Sequence, residues 1–191
     1  MGNQQPFVIF VLGGPGAGKG TQCANLVRDF DFLHMSAGDL LRAEMAREGS
    51  ESGELISNYI KEGKIVPMEI TLKLIKEEMA RYPGKKVLVD GFPRKMDQAI
   101  GFEKEVAACK AVLYFACDED TMLERLLKRG ETSGRSDDNK ESIVKRFQTF
   151  RETSYPVIEY YQKKGKVIEV STLDTPEKVY EITKKEIQKL F

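Results

Sequence analysis

Apolar positions along the chain gather into short continuous runs, and longer stretches of helical period separate them. Phe7-Val8-Ile9-Phe10-Val11-Leu12 is the first run, and others fall at 32–35, weakly, and at 87–89, 112–117 and 166–171. Runs this short and this rich in branched aliphatics read as buried strands, and the patterned segments between them read as crossover helices. Such alternation predicts an α/β fold, a parallel sheet wrapped by helices. In folds of that kind ligands bind beyond the carboxyl ends of the strands. Two of those ends carry chemistry: Leu12 runs into a glycine-rich loop, and Lys86-Val87-Leu88-Val89 ends on Asp90.

Two stretches do not fit a bare sheet with crossovers. Residues 36–66 form helical patterns interrupted by glycines at 38, 49, 53 and 63, too long for one crossover and too polar for core. They predict an inserted helical flap. The second stretch, Gly130-Glu131-Thr132-Ser133-Gly134-Arg135-Ser136-Asp137-Asp138-Asn139, is small and polar, with glycines able to hinge, and predicts a short lid. No repeat, low-complexity tract or linker divides the chain, so a single domain is expected.

Composition narrows this picture without redirecting it. The chain has 191 residues, 41% of them hydrophobic, enough for one core carrying small insertions. Thirty basic residues balance thirty acidic ones, which excludes a global charge excess aimed at nucleic acid or membrane. Any anion site must be local. Cys23, Cys109 and Cys117 are irregularly spaced in or beside apolar runs and read as reduced core residues, not as a disulfide frame or a zinc site. The first residues lack a leader pattern, Gly2 is followed by a sequence that does not fit myristoylation, and no segment is apolar enough to span a bilayer. A soluble cytosolic protein is expected.

The loop Gly13-Gly14-Pro15-Gly16-Ala17-Gly18-Lys19-Gly20-Thr21 has the composition of a phosphate cradle. Glycines let successive backbone N–H groups converge on a polyphosphate ahead of a helix N-terminus, and Lys19 reaches the outer phosphates. The usual rule places Ser or Thr directly after the lysine to hold Mg²⁺. Here that position is Gly20, and the hydroxyl arrives at Thr21.

Arginines supply the second signal, because phosphoryl transfer requires positioning and charge cancellation. Arg42 lies in Ser36-Ala37-Gly38-Asp39-Leu40-Leu41-Arg42, in the early turns of a helix that Ser36 or Asp39 caps. Arg94 closes Asp90-Gly91-Phe92-Pro93-Arg94, and Arg129, Arg135 and Arg146 flank or occupy the lid. Asp90 reads as an acid orienting Mg²⁺ through water. Asp137 and Asp138 either cap the next helix or support the lid arginines. His34, the single histidine, reads as a packing or hydrogen-bonding residue.

The glycine loop, Ser36 to Arg42, Asp90 to Arg94 and the run from Ser133 to Asn139 occur in the order and approximate spacing of the nucleoside monophosphate kinases. The chain resembles that family over residues 7–190, and within it the eukaryotic UMP/CMP kinases of the fungal uridylate type. The resemblance implies a P-loop NTPase-type core with a five-stranded parallel sheet, built from 1–35, 67–127 and 139–191, an NMP-binding insertion at 36–66 and a lid at 128–138. It implies the reaction ATP + NMP ⇌ ADP + NDP with Mg²⁺ in pyrimidine nucleotide biosynthesis, and a monomer of the cytoplasm, a nuclear pool being left open. By position, ATP contacts fall on Gly14, Gly16, Ala17, Gly18, Lys19, Gly20, Thr21 and Arg129, and the backbone near Asp174 meets adenine. Monophosphate contacts fall on Arg42 and Arg94, with Gly91 and Phe92 in the same turn and backbone at Lys64, Ile65 and Val66 meeting the nucleoside. Arg129, Arg135 and Arg146 match the lid and transfer-stabilising arginines, so Lys19, Arg94 and these three carry the catalytic assignment.

Two positions bear on the base. Ala37 stands where UMP/CMP kinases resemble this chain and many adenylate kinases have Thr. Gln98 stands where animal UMP/CMP kinases carry Asn and adenylate kinases Gln, and its amide serves either adenine or a pyrimidine. The expected order is UMP, then CMP, with dCMP and some AMP accepted. The rivals are an adenylate kinase and a P-loop switch or nucleotide-binding module without turnover.

Overall fold

The computed structural model describes residues 5–191. The readings on Gly2 and a leader concern residues 1–4, outside the described residues.

Strands form where the apolar runs lie: β1 Val8–Leu12, β2 Leu33–Ser36, β3 Val87–Asp90, β4 Ala111–Ala116 and β5 Val167–Ser171. Their order across one sheet is β2-β3-β1-β4-β5, and every neighbouring pair is parallel. This is the expected five-stranded parallel core. Helices fill the connections: α1 Lys19–Phe30, α2 Ala37–Ala46, α3 Gly53–Lys61, α4 Met68–Arg81, α5 Met96–Glu105, α6 Glu119–Ser133, α7 Lys140–Thr149, α8 Tyr155–Lys163 and α9 Pro176–Gln188, with a π-helical turn Phe150–Ser154 joining α7 to α8.

The two-residue period of a strand sends alternate side chains to opposite faces, and each face of the sheet has its own core. Val8, Phe10 and Leu12 pack with residues of α4, α5 and α8, while Ile9 and Val11 pack with residues of α1, α6, α7 and α9. Because both faces are covered, the central strands β1 and β3 contain no polar residue before the Asp90 that ends β3. A third, smaller cluster of Leu41, Ile56 and Val66, joined by Ile70 and Leu74, holds α2 and α3 against α4. The segment 36–66 is therefore helical as expected, and it is anchored on the helix that follows it.

The register aligns the functional ends. Val11 is level with Asp90, and Asp90 with Ser36, so the segments following β1, β2 and β3 emerge side by side.

The second polar stretch differs in detail from its expected form. Helix α6 continues through Gly130 to Ser133, and only Gly134 takes the left-handed backbone that ends it. Gly130 is not a hinge. A Cβ there would lie 2.5 Å from the Asp138 carbonyl oxygen, so the glycine permits close approach between the helix and the returning chain. What remains non-helical is a short turn before α7.

Candidate active site

The loop after β1 folds over the start of α1. Gly16 has φ 81°, and a Cβ there would sit 2.7 Å from Leu126 Cγ, so both backbone and packing exclude a larger residue. Lys19 lies in the first turn of α1, and its Nζ donates to the carbonyls of Gly13 and Gly14, each at 3.0 Å. Burial pushes the Lys19 ammonium down to about 8; Asp90 opposes this shift, and Arg94 and Arg146 add to it.

Asp90 ends β3 in the floor of the cleft, and its Oδ2 pairs with His34 Nε2 at 3.0 Å. The lone histidine thus makes a hydrogen bond, as expected, and it makes that bond to the candidate metal-orienting acid. The turn after β3 contains a cis Phe92–Pro93 peptide. Arg94 Nε donates to the Gly91 carbonyl at 2.6 Å, its backbone N–H donates to Gln98 Oε1 at 2.8 Å, and Ser154 Oγ donates to its carbonyl at 2.9 Å. Surrounding protein draws Arg94 below the ordinary arginine value, against the pull of Asp90 and with Arg42 adding to the effect, while its face toward the cleft stays open to solvent.

Across the cleft, Ser36 Oγ caps α2 by accepting from Asp39 N, which leaves Asp39 free to pair with Arg42 at 2.5 Å. Arg135 reaches the same carboxylate at 3.5 Å, linking the turn after α6 to α2. Burial works against ionised Asp39, but hydrogen bonding from Arg42 holds its carboxyl below the usual range. In the last turns of α6, Arg129 binds Asp138 with two hydrogen bonds, 2.8 and 2.5 Å, and Ser133 donates to the same carboxylate. Arg146 meets Asp137 at 3.3 Å and Asp138 at 3.4 Å. Between the two readings of this acidic pair, support of arginines is the one observed, because the cap of α7 is Asn139. Burial pushes Arg146 down to about 10, with Asp137 opposing the shift, whereas the bond to Asp138 raises Arg129.

These side chains line one cleft of about 420 Å³. Gly16, Gly18, Lys19, Gly20, Thr21, Arg42, Asp90, Gly91, Arg94, Arg129, Arg135 and Arg146 are all on its wall. Ala37, Lys64, Ile65, Val66, Phe92 and Gln98 line a side chamber of about 60 Å³ that shares Arg42, Arg94 and Arg146 with the cleft. Lys64 lines the chamber and turns its side-chain ammonium to Glu62. Asp174 lies in a separate depression on the other side of the loop, with Ala17, Thr21 and Thr172. Gly14 lines none of these spaces; a Cβ there would meet Met122 Sδ at 2.5 Å, and its carbonyl serves Lys19.

Arg125 is the one charged wall residue that the sequence reading omitted. It lines both the cleft and the Asp174 depression and donates to the Thr172 carbonyl at 2.7 Å. The available signal was its i, i+4 relation to Arg129, which puts both on one face of α6.

Seven cations on the wall face two carboxylates there, Asp39 and Asp90, with Asp137 and Asp138 behind. Such a surplus in a partly closed space suits a polyanion. Cys23 Sγ, His34 and Asp90 also place potential ligand atoms within 4.8 Å of one another. A thiol and an imidazole are poor partners for Mg²⁺, which takes hard oxygen and keeps several waters, so Asp90 alone of the three suits that ion.

Residues 11–166 match the family model described as "Adenylate kinase". A uridylate kinase of Saccharomyces cerevisiae is 62% identical over 92% of this chain and 88% of its own length. A UMP-CMP kinase of Lentinula edodes is 57% identical over 96% and 86%, and an adenylate kinase 1 of Schistosoma mansoni 50% identical over 95% and 93%. The matched residues contain the glycine loop, the Asp90 turn and the arginines of α6 and α7 within one alignment, and this chain belongs to the adenylate kinase family.

Proposed function

We propose that this protein transfers the γ-phosphoryl group of ATP to UMP and CMP, giving ADP and the nucleoside diphosphate. The observation that carries the reading is the cation surplus of the cleft, placed between a glycine loop on one side and a chamber containing Gln98 on the other. One wall suits a triphosphate, the other a nucleoside monophosphate, and the arginines lie where the two phosphate groups meet.

In this reading Gly16 through Thr21 and Lys19 hold the ATP phosphates, Arg125, Arg129 and the backbone near Asp174 flank the donor nucleotide, and Arg42 and Arg94 hold the monophosphate. Arg129, Arg135 and Arg146 cancel charge on the transferred group, 36–66 is the monophosphate-binding unit, and 128–138 is the lid that excludes water. No general base is required, because a phosphate oxygen of the acceptor is already ionised at neutral pH and attacks in line. That fits a wall furnished with guanidinium groups. Mg²⁺ would be held through water by Asp90, with the Thr21 hydroxyl nearby, and it supplies neutralisation of the donor phosphates. Ala37, 2% exposed, supports pyrimidine preference, as do the names of the uridylate and UMP-CMP kinase relatives, while Gln98 serves either kind of base. Free thiols at all three cysteines agree with a reducing compartment, and we read the protein as a cytoplasmic monomer. Among the described residues no helix is long and apolar enough to cross a membrane.

The test is an initial-rate panel of UMP, CMP, dCMP, AMP and GMP with ATP·Mg²⁺. UMP and CMP are expected to give the highest kcat/KM; a larger value for AMP makes the protein an adenylate kinase in activity as well as family.

A further inference from the structure

The side chamber contains a polar group with nothing to bind. Thr71, in the first turn of α4, is 4% exposed and lines the chamber together with Gln98 and Val66. Its hydroxyl has no hydrogen-bond partner among the described residues. A helical threonine commonly turns its hydroxyl back to the carbonyl one turn earlier. Here the Thr71 amide takes the Pro67 carbonyl at 3.4 Å, but the hydroxyl does not. Isolated polar groups in such surroundings are uncommon and point to a partner supplied from elsewhere.

Gln98 shows what that partner must complement. Its Oε1 is committed to the backbone N–H of Arg94 at 2.8 Å, and because an N–H pairs only with oxygen, the amide is oriented. Its Nε2 touches the Val66 carbonyl at 3.4 Å and retains a second N–H. The chamber wall therefore holds one donor of fixed sense and one enclosed, unpartnered hydroxyl that donates or accepts by rotation.

Building on the function proposed above, we propose that Thr71 is a second base-reading residue, whose hydroxyl completes its hydrogen bonding with the pyrimidine edge of the bound monophosphate. Uracil and cytosine share a ring shape and differ at position 4, where one has an oxo acceptor and the other an amino donor. A hydroxyl meets both without movement of the backbone: it donates to the oxo group and accepts from the amino group. Dual use of UMP and CMP then follows from one rotatable bond beside a fixed amide.

The test compares Thr71→Val, which keeps the shape and removes the hydroxyl, with Thr71→Ser, which keeps the hydroxyl. For Thr71→Val, KM is expected to rise about 3- to 10-fold for UMP and for CMP alike, with kcat and the KM for ATP unchanged. Its melting temperature should equal or exceed that of the parent, because an unpartnered hydroxyl has been replaced by an isosteric methyl. Thr71→Ser should restore both pyrimidine KM values. Unchanged KM for either pyrimidine in Thr71→Val, or parallel losses in kcat and ATP affinity, overturns the proposal. Should Thr71→Val fail to fold, the same comparison is made with Thr71→Ala by calorimetric titration of UMP, with weakened binding supporting the role and unchanged binding sinking it. Failure of the underlying function is visible separately, in a parent enzyme that prefers AMP.

Discussion

The floor of the cleft and its rim use the same kind of side chain in opposite ways. On the floor, cations rest on neutral carbonyls: Lys19 on those of Gly13 and Gly14, Arg94 on that of Gly91. On the rim they rest on carboxylates, Arg42 on Asp39 and Arg129 on Asp138. A carbonyl leaves the cation its full charge, so an arriving phosphate gains a large interaction without breaking an ion pair. A carboxylate must be exchanged for the phosphate, and the net gain is smaller. Burial pushes Lys19 and Arg94 down, whereas the Asp138 bond raises Arg129; Arg135, only loosely held by Asp39 at 3.5 Å, is drawn down by burial. Arg146 combines the two situations: it meets the Asp137 and Asp138 carboxylates, yet burial pushes it down to about 10.

Removing a floor cation should produce the largest effect. Lys19→Ala and Arg94→Ala are each expected to lower kcat by roughly 10³ to 10⁵, on the scale of a transition-state-stabilising arginine. Far-ultraviolet circular dichroism should stay at parent values. Turnover within tenfold of the parent in either variant would break the distinction between floor and rim.

Arg42→Ala probes the rim and should cost less. KM for UMP is expected to rise about 10- to 100-fold, the loss of one charge-assisted contact, while KM for ATP holds. Equal losses in Arg42→Ala and Arg94→Ala would show that the Asp39 partner makes no difference.

The smallest effect is one of linkage. Lys19 is pushed down to about 8 in the folded protein from an ordinary 10.5, so between those values the unfolded chain holds a proton that the folded one has lost. Stability should therefore rise with pH across that window, by less than the full shift implies because Lys19 is only half-buried. Lys19→Met should flatten the rise in a series of urea denaturations from pH 7.5 to about 10.5. A parent and variant with parallel pH profiles would remove burial as the cause of the Lys19 shift.

Features written in local pattern were legible from the chain. The strands stand out because both faces of the sheet are covered, which makes each run continuously apolar, and the loop stands out because its bends require glycine. Features that depend on distant partners were not. Nothing near His34 announces Asp90, 56 positions away in sequence, and the alternatives for Asp138 part only when α6 brings Arg129 against it. Gly130 misled for a related reason: a glycine admitting a neighbour's carbonyl is spelled the same way as a glycine that bends. Arg125 was within reach by helical spacing, but its bond to Thr172 crosses 47 residues.

The hydrogen bond from the Arg94 amide to Gln98 ties the two ends of the monophosphate site to one turn of chain. Phosphate and base are thereby gauged from a common origin. The 2.8 Å bond holds Arg94 and Gln98 in fixed relation to one another within that turn. Under the proposed function, the turn from Gly91 to Gln98 would present the phosphate-holding Arg94 and the base-facing Gln98 from one short segment of chain.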